Sequence, residues 1–386
     1  MSNKPRFVGE KVRLGDVCEV VSGATPKTKN EAFWGGDIKW VTPAELDDDT
    51  HYVSDTSKHL TEEGFASASL HMLPKGTVLL TTRAPIGKVA IAAHEMCCNQ
   101  GFKNLICSEA VNNEYLYRYL KSHSAELQAM GRGATFKELS KKNVTEYRIS
   151  LPALSRQEEA VAKLETVERQ IVVARKQIEK LDQLVKSRFV EMFGNGNHYP
   201  QIKIGDVFRT SSGGTPSSKK KAEYYEGGTI PWLTSGEVNQ ERITKTKGFI
   251  TQLGLEHSSA KWTPANSVVI AMYGATAGKS GLLAIQATTN QAVCAIWPQE
   301  DFVPAYLLQA VRQKESWLIE QTAGGAQPNI SQAIIKRMPL AQPPLQLQQA
   351  FADFAAQVDK SRFVAQQQIE KLQMLYNSLT QDYFGD

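Results

Sequence analysis

The chain carries one pattern twice. Leu14-Gly15-Asp16-Val17 returns as Ile204-Gly205-Asp206-Val207, and Ser22-Gly23-Ala24-Thr25-Pro26 returns as Ser212-Gly213-Gly214-Thr215-Pro216. Asn99-Gln100-Gly101 returns as Asn290-Gln291-Ala292. Gln177-Ile178-Glu179-Lys180-Leu181 returns as Gln368-Ile369-Glu370-Lys371-Leu372, and Phe193-Gly194 as Phe384-Gly385. The register between the copies slips by a single residue over their whole length. A pattern repeated in this way must fold twice, so the chain makes two similar bodies rather than one. Two similar surfaces on one chain point to two-handed binding more than to a single catalytic centre.

The bulk numbers set wide bounds. With 386 residues, 41% hydrophobic and 22% charged, the chain has room for two or three domains with ordinary cores. No run of about 18 apolar residues occurs, so no membrane span is expected. The N-terminal stretch has no apolar segment of the kind a signal peptide needs, which implies a cytoplasmic protein. The five cysteines are odd in number and form no C-x-x-C pair, as reduced, buried thiols would. A net charge of +4 is mildly basic. It allows a nucleic-acid partner without requiring one.

Each copy has two parts. The first is a mixed region of short β-like runs broken by Gly, Pro, Ser and Thr. Segments 76–82 and 266–272 are matching candidates for buried strands, and 114–130 and 304–321 for helices. The second part is a long helix, approached through Pro152 and through Pro343-Pro344. The first helix is expected over about Arg156 to Phe193. Leu164, Ile171, Ile178, Val185 and Met192 recur every seventh residue, with Val167, Ala174 and Leu181 three positions on. The second runs from about Leu345 to Tyr383. Phe351, Val358, Ala365, Leu372 and Leu379 form one row, and Ala355, Ile369, Tyr376 and Tyr383 most of the other. Arg362 interrupts that row and is expected to reach solvent along its stem. Such a/d rows mark a coiled coil, and the two helices are expected to pack on each other antiparallel. Gly194 and Gly385 stand where C-terminal caps belong. The fold class is thus α+β, in segments 1–150, 151–195, 196–341 and 342–386, with an approximate two-fold between the halves.

Chemistry-bearing motifs are few. Gly274-Ala275-Thr276-Ala277-Gly278-Lys279-Ser280 resembles a phosphate-binding loop, but three residues separate its glycines where four are needed. A strand-like run follows where that loop requires a helix. A phosphate-dependent enzyme built around Gly278-Lys279 is therefore the remote alternative. A tight loop presenting Lys88 and Lys279 to a phosphate is preferred. The seven histidines lack ligand spacing, so no metal site is expected. No G-x-S-x-G elbow appears, and neither does an Asp/Asn-Pro-Pro-aromatic tetrapeptide. This poverty of catalytic groups suggests recognition rather than chemistry.

The positive signal is basic and polar. Thr25, Lys27 and Lys29 in the first copy match Thr215, Lys219 and Lys220 in the second. Hydroxyls, backbone N–H groups and lysines are what phosphate oxygens accept from. Arg132 and Lys137 occupy the place of Gln327 and Asn329, and Arg83 the place of Tyr273. Arginine suits guanine edges, whereas glutamine and asparagine suit adenine. Shared scaffold with different reading groups is what two readers of two sequences would show.

The layout resembles the specificity subunit of type I restriction–modification systems over nearly the whole chain. The resemblance rests on the Ser-Gly-x-Thr-Pro segments and on the glycine-rich tracts ending at Ser140 and Ser331. It rests also on the lead-ins Ile149-Ser150-Leu151-Pro152-Ala153-Leu154-Ser155-Arg156-Gln157 and Met338-Pro339-Leu340-Ala341-Gln342-Pro343-Pro344-Leu345-Gln346. The chain departs from the family where Arg156 and Leu347 replace an acidic residue before Gln157 and Gln348. The resemblance implies two target recognition domains, each reading half of a split, asymmetric double-stranded DNA target. The helices would set the gap and dock two methyltransferase subunits, with motor-nuclease subunits joining. S-adenosylmethionine and ATP with magnesium would belong to those partners, and this chain would hold no cofactor and catalyse nothing. An accessory specificity module in a methylation system without a type I nuclease is the other reading.

Overall fold

The computed structural model describes residues 9–131, 138–194, 196–322 and 329–385. Residues through Ala174, together with those from Gln368 onward, form one compact unit, and Arg175–Gln367 form the other. The helices Leu154–Phe193 and Leu345–Phe384 are each divided between the units. Chain order separates mixed regions from helices, whereas packing joins each mixed region to one half of both helices.

In the first unit, Glu10–Arg13 pairs antiparallel with Arg148–Leu151 and so ties the two ends of the mixed region together. Between them lies a five-stranded sheet in the order Cys18–Ser22, Phe102–Cys107, Val78–Thr81, Val89–Ala92, Tyr52–Val53. His59–Leu60, Trp34–Val41 and Cys97–Cys98 form a second sheet. The expected buried strand at 76–82 forms as Val78–Thr81, buried throughout. Side chains alternate across a strand. Val78 and Leu80 therefore join the core beneath helix Asn113–Ser122, while Leu79 packs on the other face with Val41, Val53 and Phe102.

The second unit repeats this topology. Gln201–Lys203 pairs with Pro339–Ala341. The five-stranded sheet runs Thr210–Ser212, Val293–Ile296, Ser267–Ala271, Ser280–Leu283, Arg242–Ile243. A four-stranded sheet runs Gly248–Ile250, Ile230–Leu233, Ala287–Thr289, Trp262–Thr263. Val268 and Ile270 face the helices, and Val269 and Ala271 face the opposite core.

The helices expected over 114–130 and 304–321 are both broken, into Asn113–Ser122 with Ser124–Met130 and Pro304–Arg312 with Glu315–Glu320. At the first break the His123 N–H is shared between the Lys121 and Tyr119 carbonyls. The His123 ring donates from Nδ1 to Tyr119 at 2.9 Å and stacks on the tyrosine ring at 4.2 Å. Such local bonds compete with helix continuation, and a hydrophobic pattern does not register them.

The long helices pack antiparallel within each unit. In the first, Ala160, Val161 and Leu164 share a core with Tyr383 and Phe384, and Val167 and Ile171 pack with Ile369, Leu372, Tyr376 and Leu379. In the second, Leu181 and Val185 pack with Val358 and Ala355, and Phe189 meets Phe351 edge-on at 5.3 Å. Ile178 is half-buried. The heptad reading placed Met192 on the seam, but Phe189 and Phe193 are the deeper anchors there, at 5% and 3% exposure. A straight helix drifts about 20° per heptad from a seven-residue repeat, so after four heptads the neighbouring row takes over. Arg362 corrects a second expectation. Instead of reaching solvent it is mostly buried, donates to Asp182 at 2.5 Å and to Asp359, and lies inside the helix pair. Gly194 caps its helix with φ +57°, while Gly385 closes the same i−4 bond, to Gln381, outside the positive-φ set. Among the described residues no helix is long and apolar enough to cross a membrane.

Candidate nucleic-acid interface

Each unit gathers residues distant in sequence at one edge of its sheets, and each does so with the same bonds. The Ser-Gly-x-Thr-Pro loop is held from within by an indole: Trp40 Nε1 donates to Ala24 at 3.1 Å, and Trp232 Nε1 to Gly214 at 3.0 Å. The Thr25 hydroxyl donates to the side-chain carbonyl of Gln100, and Thr215 does the same to Gln291. Gly23 and Gly213 permit this approach. A Cβ there would stand 1.9 Å from the Asn99 carbonyl oxygen and 1.8 Å from that of Thr289.

The Asn-Gln turn is built internally. Asn99 Oδ1 accepts from the Gly101 N–H at 2.8 Å, and Asn290 Oδ1 from Ala292 at 3.1 Å. Their own N–H groups donate to Val41 and Leu233. These asparagines are structural, while the neighbouring glutamines link two loops.

From this turn the bonding continues to the residues that differ. Thr82 donates to the Gly101 carbonyl at 2.7 Å and accepts from Leu139 at 2.9 Å, which sets Arg83 beside Glu138. Met272 donates to Ala292 at 2.8 Å and accepts from Ile330 at 2.7 Å, so Tyr273 and Asn329 each adjoin a residue of that bonded pair. Arg83 Nε lies 3.1 Å from the Glu138 carboxylate, and Asn329 is exposed. Tyr273 is half-buried against the core of its unit. Lys27 and Lys29, and Lys219 and Lys220, are exposed on the loops that lead away from Thr25 and Thr215. Lys220 pairs with Glu223 at 3.3 Å, which raises its pKa, and its ammonium lies over the Tyr224 ring. Arg132, Lys137 and Gln327 lie outside the described residues.

Two of the expected phosphate contacts, one half-buried and one exposed, have partners within the chain. Lys88 donates to the Leu46 carbonyl at 2.6 Å and is half-buried. Lys279 is paired with Glu315 at 2.6 Å. The segment after Lys279 is the strand Ser280–Leu283, so no helix N-terminus is present to hold a phosphate. A group the sequence did not single out is Lys103, opposite Ser22 in the sheet and 9% exposed at its side chain. Burial lowers its pKa, against the Glu138 carboxylate 3.8 Å away. A lysine within the short buried strand Phe102–Cys107 was the available signal. Among the described residues no group of three or more His, Cys, Asp or Glu could hold a metal.

The model of the type I restriction modification DNA specificity domain matches residues 9–183 and again 198–374. The MjaIX type I restriction enzyme specificity subunit of Methanocaldococcus jannaschii is 31% identical over 284 residues, 68% of this chain and 65% of that protein. The EcoR124I/EcoR124II specificity subunit of Escherichia coli is 27% identical over 161 residues, 40% of each. The chain thus aligns with less than two thirds of the length of these curated relatives. Among solved structures, the S subunit of a type I system from M. genitalium superposes with a TM-score of 0.57 at 15% identity, over 100% of this chain and 98% of that one. A chain from a structural study of complex assembly and conformational transition in the type I R-M system superposes with a TM-score of 0.63 at 19% identity, over 100% of both. With both copies of the repeat matched by one family model, this chain belongs to the type I restriction–modification DNA specificity family.

Proposed function

We propose that the chain is the non-catalytic DNA-reading subunit of a type I restriction–modification assembly, with each unit reading one half of a split, asymmetric target. The observation that carries this is the pair of bonded edges described above. Their scaffolds share the same backbone bonds, while the groups at matching places differ, Arg83 and Glu138 in one and Tyr273 and Asn329 in the other. Phosphate contacts from Lys27, Lys29, Lys219 and Lys220 would supply affinity common to all sequences, and the differing groups would supply selectivity.

The long helices are proposed as the ruler and the dock. A 40-residue helix is about 60 Å long, which suits half-sites more than one DNA turn apart. Both helices expose large apolar residues at matching places. Val172 and Val173 in the first correspond to Phe363 and Val364 in the second, and Leu184 corresponds to Leu375; all are 46–65% exposed. Duplicated apolar patches fit two copies of one partner, which the family implies is a methyltransferase subunit carrying S-adenosylmethionine. Methylome sequencing of the host with and without this gene tests the reading. The expected result is loss of adenine methylation at one bipartite, non-palindromic motif, and an unchanged methylome or a palindromic motif would overturn it.

A further inference from the structure

The first unit holds two thiols that face each other across neighbouring strands. Cys18 opens the strand Cys18–Ser22, at the edge of the five-stranded sheet, and is paired in register with Cys107 at the end of Phe102–Cys107. The Ser108 N–H donates to the Val17 carbonyl at 3.0 Å. That bond, one residue outside the pair, makes Cys18 and Cys107 a non-hydrogen-bonded pair. In such pairs the Cα atoms stand about 4.5 Å apart and the side chains approach most closely. This spacing lies within the range a disulfide spans, about 4.4–6.8 Å between Cα atoms. Both thiols are free, and Cys107 together with burial pushes the Cys18 thiol up.

Their environments differ in a useful way. Cys18 is 6% exposed within the main core, whereas Cys107 is half-buried at the strand end. The other cysteines are sequestered. Cys97, Cys98 and Cys294 are at most 1% exposed, and Cys98 Sγ accepts from Asn104 Nδ2 at 2.8 Å. Cys294 is the one cysteine of the second unit, so this pair has no counterpart there.

We propose that Cys18 and Cys107 form a redox site which a low-molecular-weight disulfide of the glutathione class converts to a cross-strand disulfide. The Cys107 thiolate attacks one sulfur of oxidised glutathione, giving a mixed disulfide and one glutathione thiolate, which takes up the Cys107 proton. Cys18 then attacks the Cys107 sulfur and expels the second glutathione, which takes the Cys18 proton. Two protein thiols are oxidised by two electrons, and one glutathione disulfide is reduced to two thiols. The product staples the edge strand that leads into the Thr25 loop and closes a long loop of the first unit.

The test is incubation of the full native chain with oxidised glutathione, followed by alkylation, non-reducing intact mass and peptide mapping. The expected result is one intramolecular disulfide joining the Cys18 and Cys107 peptides, with Cys97, Cys98 and Cys294 alkylated only after unfolding. Cys18→Ser should stop at a stable glutathione adduct on Cys107, and Cys107→Ser should remain unmodified. In hydrogen exchange, oxidation should slow the amides of the first unit's sheet edge and leave the second unit unchanged. A stable glutathione adduct on wild-type Cys107, a bridge to any other cysteine, or no reaction would overturn the proposal. The wild-type measurement decides even where the buried Cys18→Ser variant fails to fold.

Discussion

Gln157 and Gln348 occupy equivalent first-turn positions in the two long helices and make the same three hydrogen bonds. Gln157 Nε2 donates to the carbonyls of Ala110 (2.9 Å) and Pro152 (2.8 Å), and its Oε1 accepts from the Asn112 N–H (2.9 Å). Gln348 Nε2 donates to Asp301 (3.1 Å) and Pro343 (2.9 Å), and its Oε1 accepts from Val303 (2.9 Å). Both side chains are 0% exposed. Each ties the start of a long helix to the loop that precedes the sheet-covering helix of its own unit. The lead-in motif therefore uses its glutamine as a clamp. The neighbouring Arg156 and Leu347 are exposed, which explains why this chain tolerates losing an acidic residue there.

Removing that clamp should be costly. Gln157→Leu leaves the Ala110 and Pro152 carbonyls and the Asn112 N–H without a partner in a dry site, at about 1 kcal/mol or more for each group. A loss of about 3 kcal/mol is expected in urea unfolding. Hydrogen exchange should place it in the first unit for Gln157→Leu and in the second for Gln348→Leu.

The partly buried Arg362 should act as a register pin rather than as a stabiliser. Burial raises the Asp359 pKa, and Arg362 opposes this. Arg362→Leu should cost about 1–2 kcal/mol at neutral pH, after allowance for partial solvent screening of Asp359. The cost should shrink in acid, where a neutral carboxyl needs no cation, and adding Asp359→Leu should restore most of the loss. Thermal unfolding at several pH values measures this.

Glu45 gives a stability effect of the opposite sign. Burial pushes its carboxyl up, but bonds from Ser57 and Thr42 outweigh burial and hold it below the ordinary value. A lowered folded pKa stabilises above the unfolded value, near 4.3. That contribution is lost as pH falls through the folded pKa. Wild type should exceed Glu45→Gln by about 1 kcal/mol above roughly pH 5, and the two should converge in stronger acid. Paired denaturation curves from pH 3 to 7 would be the check.

For DNA, Lys27→Ala or Lys219→Ala should weaken binding to all sequences about equally and flatten the salt slope by roughly 1 for each lost phosphate contact. Arg83→Ala should instead relax preference in one half-site by about 1–3 kcal/mol per base pair. Titration against single-base target variants at two salt concentrations separates the two outcomes. A uniform loss from Arg83→Ala would remove it from the reading set.

Lengthening both long helices by about one turn should add roughly 5 Å and favour a wider gap between half-sites. Methylome sequencing of a strain carrying the insertions reads the gap directly. An unchanged gap would end the ruler reading.

Much of this protein was legible in one dimension. Duplication showed two similar bodies, because a repeated pattern of apolar and turn residues has the same local solution each time. The sheet-core strands, Val78–Thr81 and Ser267–Ala271, and both long helices announced themselves through apolar runs and heptads. The correspondence of Thr25 with Thr215, and of Arg83 with Tyr273, also followed from the repeat.

Tertiary structure decided which of those residues meet. Thr25 bonds Gln100, and Arg83 meets Glu138, across stretches of chain that no local pattern spans. It paired Lys88 with a backbone carbonyl and Lys279 with Glu315, set Arg362 between two carboxylates, and gave the deep seam positions to Phe189 and Phe193. The reason is physical. Periodicity and propensity act over a few residues, so they set the elements. A charged side chain takes the partner that folding brings within about 3 Å, and that partner sits on another element whose place depends on the whole core.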